Sequence, residues 1–212
     1  MHNVQLVHTT PDAEQLIAYM ARVSNPDNQA NPNSERLIKY LIKHKHWSPF
    51  EMVNMCVEIE TTRSVAAQIL RHRSFSFQEF SQRYAKVTQT GAIPHLRRQD
   101  TTNRQNSIDD LDFYTTKEFT IRINDLYETS ERLYNEMLAA GVAKECARDV
   151  LPLSTATKLY MNGSLRSWLH YCDLRCSNGT QLEHKMIADQ VKNLVNQQFP
   201  TVYSAMWGNP DP

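Results

Sequence analysis

Arg71 to Tyr84 reads R-H-R-S-F-S-F-Q-E-F-S-Q-R-Y and carries three arginines, a histidine, one carboxylate, three serines and aromatic spacers. No other stretch of the chain is so dense in groups that grip an anion. A guanidinium pairs bidentately with phosphate, so this density points to a small phosphorylated ligand or a nucleic-acid backbone. Arg71, His72 and Arg73 also close a helix expected from Thr62, and cations at a helix end are an ordinary stabilising arrangement. That accounts for the first three residues only. Glu79, Ser81 and Arg83 recur at every second position beyond the helix, with aromatics around them.

The remainder of the chain narrows the ligand. Net charge is zero, yet residues 61–104 hold eight Lys and Arg against two acids, leaving 15 basic and 21 acidic residues elsewhere. A wholly basic nucleic-acid binder is thereby excluded, whereas a focused patch on a neutral protein fits capture of a small anion. Only five glycines occur, at 91, 141, 163, 179 and 208, so neither a Gly-rich dinucleotide turn nor a P-loop is present. Side chains must do the holding. With 212 residues and 41% hydrophobic content, one domain spanning 1–212 is expected. No apolar run approaches the ~20 residues of a membrane span, and Met1 to Thr10 lacks a signal-peptide pattern, so a cytoplasmic protein without membrane contact is expected. Cys56, Cys146, Cys172 and Cys176 show no small-domain disulfide layout and read as free thiols.

Taken in order, Asn3 to Val7 reads as a strand, and Thr10 with Pro11 as a helix start whose apolar face is Leu16, Ile17, Met20 and Val23. Asn25 to Asn33 reads as a loop. Leu37, Ile38, Leu41 and Ile42 mark a second helix, and Met52 to Glu60 alternates like a half-buried strand. Thr62 caps the helix carrying Gln68 and Arg71 on one face. Thr88 to Asn106 reads as a flap over the site or as a subunit contact, and the sequence does not choose. Asp109, Asp110 and Asp112 read as a solvated acidic turn, lacking calcium-loop spacing. A long helix from about Lys117 to Ala140 carries Phe119, Ile123, Leu126, Leu133 and Met137 on one side and ends at Gly141. Val142 to Val150 is a short helix in which Arg148 reads as a surface ion pair. After an extended Ser154 to Met161, Ser164 caps a helix with Leu165, Trp168, Leu169 and Cys172 inward. Thr180 with Glu183 forms a capping box for a last helix that buries Leu182, Met186, Leu194 and Val195. His170, Cys172, Cys176 and His184 have metal-ligand chemistry, but the cysteines continue an apolar stripe, and no metal site is assigned.

R-H-R, then Ser76, Glu79, Ser81, Arg83 and Tyr84, resembles the signature of the flavin-dependent thymidylate synthases. Gln78 stands where that family commonly has asparagine, and Gln82 where it has glycine. The resemblance extends to H-W-S-P-F-E at 46–51, A-R-D-V-L-P at 147–152 and L-R-S at 165–167. It implies an α/β (α+β) fold with a mixed β-sheet and long helices, and a homotetramer with shared active sites. The implied reaction is reductive methylation of dUMP to dTMP, with methylenetetrahydrofolate giving the carbon, FAD carrying the hydride and NADPH reducing the flavin. By the same resemblance Gln68, Arg71, Glu79, Ser81, Gln82, Arg83, Arg148 and Arg175 contact dUMP, and Ser48, Arg71, His72, Arg73, Ser164, Arg166 and His170 contact FAD. Arg175 is the implied catalytic residue, stabilising negative charge on the uracil ring.

Two other classes compete with the enzyme: a single-strand nucleic-acid module and a structural helical domain. The first calls for basic character along a groove, and the second leaves the polar signature unexplained. No cysteine falls inside the arginine-rich stretch to act as an activated nucleophile, and the sequence shows no general base for Ser81, so Ser81 is expected to hydrogen-bond the substrate rather than attack it.

Overall fold

The computed structural model describes residues 2–88 and 91–208. In chain order it comprises β1 (Asn3–Thr9), α1 (Ala13–Ala21), α2 (Pro26–Gln29), α3 (Glu35–Lys43), β2 (Asn54–Thr62), α4 (Arg63–Ile69), β3 (Ser76–Glu79), β4 (Arg98–Gln99), β5 (Ser107–Ile108), α5 (Phe113–Ala139), α6 (Lys144–Ala147), β6 (Ala156–Ser164), α7 (Leu165–Arg175), α8 (Leu182–Gln198) and α9 (Pro200–Trp207). This is an α+β protein. β1, β2, β6 and β3 form one sheet in that order, and β4 and β5 form a small separate hairpin.

Each pairing in the four-stranded sheet is antiparallel, which corrects the expectation of a mixed sheet. The reason lies in β2–α4–β3, a strand–helix–strand unit whose two strands run the same way. β6 enters between them and separates what would have been parallel neighbours. Alternation along β2 then sends Met55, Val57 and Ile59 to the same face as Leu159 and Met161 of β6, and all five are fully buried. α7 and α8 pack over that face: Trp168 Nε1 donates to the Met55 carbonyl at 2.9 Å, and Gln190 Oε1 accepts from the Val4 N–H at 3.0 Å. The opposite face carries Glu58, Glu60, Lys158 and Tyr160, with Lys158 Nζ 2.8 and 3.2 Å from the two carboxylates.

Several local expectations change. Thr10 does not cap α1, because its hydroxyl accepts from the Asn54 N–H at 2.9 Å and its own N–H donates to the Asn54 carbonyl, extending the β1–β2 ladder. The helix starts later, at Ala13 after Asp12 in the left-handed region, and Val23 lies beyond it, exposed. The Asn-rich loop holds one short helix, α2. The capping box at Thr180 does not form: Arg97 grips both oxygens of Glu183 at 2.7 and 3.0 Å, and Thr180 Oγ1 donates to the Leu174 carbonyl. α8 consequently buries His184, Ile187, Ala188, Val191 and Val195, while Leu182 and Met186 remain exposed. The acidic turn is likewise occupied, with Asp109 on His95, Asp110 on Arg98, and Asp112 capping α5 through the Thr115 N–H at 2.9 Å. Of the 88–106 stretch, residues 89 and 90 lie outside the described residues.

α5 runs 27 residues and buries only Tyr134. Its expected apolar stripe is not packed on this chain's core, since Phe119, Leu126 and Leu133 are exposed, Leu126 at 62%. Gly141 follows the helix with φ 84°, a conformation that favours glycine.

Candidate active site

The signature stretch reaches its place through an aromatic anchor. After α4 the chain turns, with the Phe75 N–H donating to the His72 carbonyl at 3.2 Å. The buried Phe75 ring then lies against Trp168, centroids 4.6 Å apart. A Cβ on Gly163 would come within 2.4 Å of that ring, so glycine at 163 is what admits it. From there β3 pairs with β6 from Ser76↔Asn162 to Glu79↔Leu159, and the Phe80 N–H continues the ladder to the Lys158 carbonyl. The stretch therefore runs the length of β6 in the opposite direction. Its arginine-histidine end lies by Ser164 and its Ser-Gln-Arg end by Ala156.

At the Ser164 end, Ser164 Oγ caps α7 by accepting from the Ser167 N–H at 3.4 Å, and Ser167 Oγ donates to the Ser74 carbonyl at 3.3 Å. Arg166 pairs with Glu51. Ser164, Arg166 and His170, three of the residues matched to FAD, line one cavity of about 410 Å3 with Glu51, Ser74 and Ser167. Ser48 begins the 3-10 turn that ends at Glu51 and is exposed, as are Arg71 and Arg73.

At the same end of the signature, Arg175 Nε donates to His72 Nε2 at 3.0 Å. Burial and then the Arg175 charge hold the His72 pKa down to about 4, so the ring is neutral at pH 7 and accepts at Nε2. Behind it, His184 Nε2 lies 3.1 Å from Tyr171 Oη and Nδ1 lies 3.4 Å from Gln68 Oε1. Burial, then Arg175 and His72, lower the His184 pKa to about 3. Gln68 also donates to Gln181 Oε1 at 2.5 Å. His184 is thus part of a polar cluster, and His170 faces the other cavity. Cys172, fully buried, stays a thiol because the Cys176 sulfur and burial both raise its pKa.

At the Ala156 end, Gln82 is only 6% exposed and shares a cavity of about 350 Å3 with Arg63, Arg148, Asp149 and Thr155. Glu79 Oε1 accepts from Arg63 at 2.9 Å and from Thr157 Oγ1 at 2.9 Å. The Ser81 carbonyl closes the turn that follows, accepting from the N–H groups of Tyr84 and Ala85. Arg83 lies 3.3 Å from Glu145. Arg148 Nε donates to the Glu145 carbonyl at 3.2 Å, and its expected surface pair with Asp149 is long, at 3.9 Å. Sequence reading missed Arg63 and Glu51, and weighed His184 only for metal-ligand chemistry. Only the basic excess of 61–104 hinted at the first, and no spacing rule links it to Glu79 sixteen residues on. A further cavity of about 590 Å3 between α1, α3 and the Asn-rich loop holds none of the signature residues.

The fold and these two cavities define a class: an α+β protein that gathers arginine, serine and histidine side chains around its two cavities without a glycine-rich loop. The family profile described as thymidylate synthase complementing protein matches residues 5–201. The chain is 54% identical over 193 residues to a flavin-dependent thymidylate synthase from Synechocystis sp., covering 91% of this chain and 89% of that protein. It is 51% identical over 195 residues to a probable flavin-dependent thymidylate synthase of Paramecium bursaria Chlorella virus 1, covering 92% and 90%. The crystal structure of a UMP/dUMP methylase PolB from Streptomyces cacaoi bound with 5-Br dUMP is similar with a TM-score of 0.85 at 26% identity, over 97% of this chain and 94% of that one. The chain belongs to the flavin-dependent thymidylate synthase family and is an enzyme of that class.

Proposed function

We propose that the protein converts dUMP to dTMP in the cytoplasm, taking the carbon from methylenetetrahydrofolate and the reducing equivalents from NADPH. FAD, when bound, carries the hydride. One observation carries the arrangement. β6 spans nine residues, so at ~3.3 Å per residue its two ends, and the two cavities there, lie roughly 26 Å apart. That separation favours a flavin held at one end meeting a pyrimidine held by a different copy of the chain. The reading is therefore of sites shared between copies, each contributing its Ser164 end to one site and its Ala156 end to another. The exposed apolar residues of α5 supply the kind of surface that a homotetramer would cover. The whole of 1–212 then acts as one domain per subunit.

The residues at the Ser164 end fit a flavin dinucleotide. The Ser164, Arg166, Ser167 and His170 side chains are donors suited to its diphosphate, and the cavity suits that part rather than the entire cofactor. Ser48, Arg71, His72 and Arg73 extend the same surface. At the other end Arg148, Gln82, Ser81 and Arg83 take the nucleotide, with Glu79 accepting from an uncharged donor on it. Gln68, Arg71 and Arg175 approach it from another copy. His72 fixes Arg175 at Nε, so the two terminal nitrogens of the guanidinium point the charge at the uracil ring as negative charge develops there.

The test is the absorption spectrum of the purified protein and its turnover of dUMP. A yellow protein, or one that changes flavin fluorescence polarisation on mixing, is expected, together with a tetramer in dilute solution. A colourless protein that leaves added FAD unperturbed refutes the flavin assignment. A fully active monomer by light scattering refutes shared sites.

A further inference from the structure

Glu79 poses an electrostatic problem that the nucleotide reading does not itself solve. It is a half-buried carboxylate in the stretch that is to receive a dianionic phosphate, and like charges at such range oppose binding. The structure holds a cation against it. Arg63 opens α4, its backbone fixed by an N–H bond to the Thr155 carbonyl at 2.9 Å, and its guanidinium reaches Glu79 Oε1 at 2.9 Å. Thr157 Oγ1 donates to the same oxygen from β6. Both bonds fall on Oε1, so the carboxylate is clamped with Oε2 as the oxygen neither takes. Arg63 also lines the cavity that contains Gln82 and Arg148.

We propose that Arg63 is a positioning residue for the nucleotide: it compensates the Glu79 charge and orients the carboxylate so that Oε2 accepts a hydrogen bond from dUMP. The inference rests on the dUMP reading above. Arg63 acts through Glu79 and makes no contact of its own with the phosphate, which Arg148 and Arg83 serve. Arginine is suited to the task because its rigid fork fixes direction as well as charge.

A double-mutant cycle on the full-length protein, read as the Kd for dUMP by calorimetry and as KM and kcat, tests this. R63Q is expected to raise the Kd and KM by about tenfold or more, the range of a charge-assisted hydrogen bond, with a smaller change in kcat. R63K should recover part of the loss, and T157V should weaken binding less than R63Q. In an E79Q background no charge remains to compensate, so adding R63Q should leave the Kd within about twofold of E79Q alone. If R63Q costs as much in E79Q as in the unmodified protein, or leaves dUMP affinity unchanged, the proposal is overturned. Should R63Q not fold, R63K poses the same question: its loss of dUMP affinity in the unmodified background should disappear in E79Q. Failure of the unmodified protein to bind dUMP overturns the underlying reading as well, whereas binding that is insensitive to Arg63 overturns only this one.

Discussion

Acidification should loosen this fold through two histidines that it keeps neutral. His184 is buried against Tyr171 and Gln68, and burial, with Arg175 and His72 adding to it, sets its pKa at about 3 against an ordinary 6.5. His72 is held at about 4 by burial and Arg175. Both folded values lie below the unfolded one, so the stabilisation is complete above pH 6.5 and is lost as the pH falls from there toward 4 and 3. At pH 5 the loss depends almost entirely on the unfolded value. The interval of about 1.5 pH units at ~1.36 kcal/mol each gives about 2 kcal/mol for His184, and about 1 kcal/mol for His72 after discounting its greater solvent contact. The pair thus costs about 3 kcal/mol between pH 7.5 and 5, a large fraction of the ~5 to 15 kcal/mol typical of a domain. Urea unfolding followed by circular dichroism measures it, at constant protein concentration because assembly would shift the midpoint. His184→Gln keeps a polar group in place and removes the titration, so its loss over the same interval should be smaller by about 2 kcal/mol. Equal pH dependence in the two proteins, or a His184 imidazole titrating near 6.5 by proton NMR, would refute the reasoning.

Two further outcomes follow from the site. Arg148→Ala should weaken dUMP binding by about 10- to 150-fold, since a charge-assisted bond contributes roughly 1.5 to 3 kcal/mol, and unchanged affinity by calorimetry would return Arg148 to the surface. A variant with all four cysteines replaced by serine or alanine should retain substantial dTMP formation, while Arg175→Ala should lose nearly all of it; the reverse ranking would make a thiol the nucleophile.

Much of this molecule could be read from local patterns. Alternation gave β2, Thr62 and Ser164 are caps as expected, and Leu165, Trp168, Leu169 and Cys172 are buried as their spacing implies. Where the reading failed, a distant partner had taken the group on which it relied. Asn54 claims the Thr10 hydroxyl, Arg97 claims the Glu183 carboxylate, and β6 comes between β2 and β3, so that the mixed sheet implied by the family resemblance is antiparallel. The site shows the same division. The stretch 71–84 was visible because its chemistry is contiguous in the chain. Arg63 was not, because its meaning arises only when β3 lays Glu79 beside the start of α4. Nor could periodicity show that the α5 stripe faces away from its own core, since a helix side facing a neighbouring subunit and one facing its own sheet carry the same pattern.

The anchoring of Phe75 over Gly163 and the run of β3 along β6 give the signature a fixed length, as a ruler has. One end is pinned by the ring, and the other must deliver Gln82 to its cavity and Arg83 to Glu145. A single inserted or deleted residue between Phe75 and Ser81 would turn every following side chain to the opposite face of the sheet. Glu79 would then leave Arg63 and point away from the helices of its own subunit. Substitutions such as glutamine at 78 and 82 can be absorbed here, whereas changes in length cannot. The spacing within these fourteen residues is thus a more demanding hallmark of this enzyme than the identity of most residues that fill it.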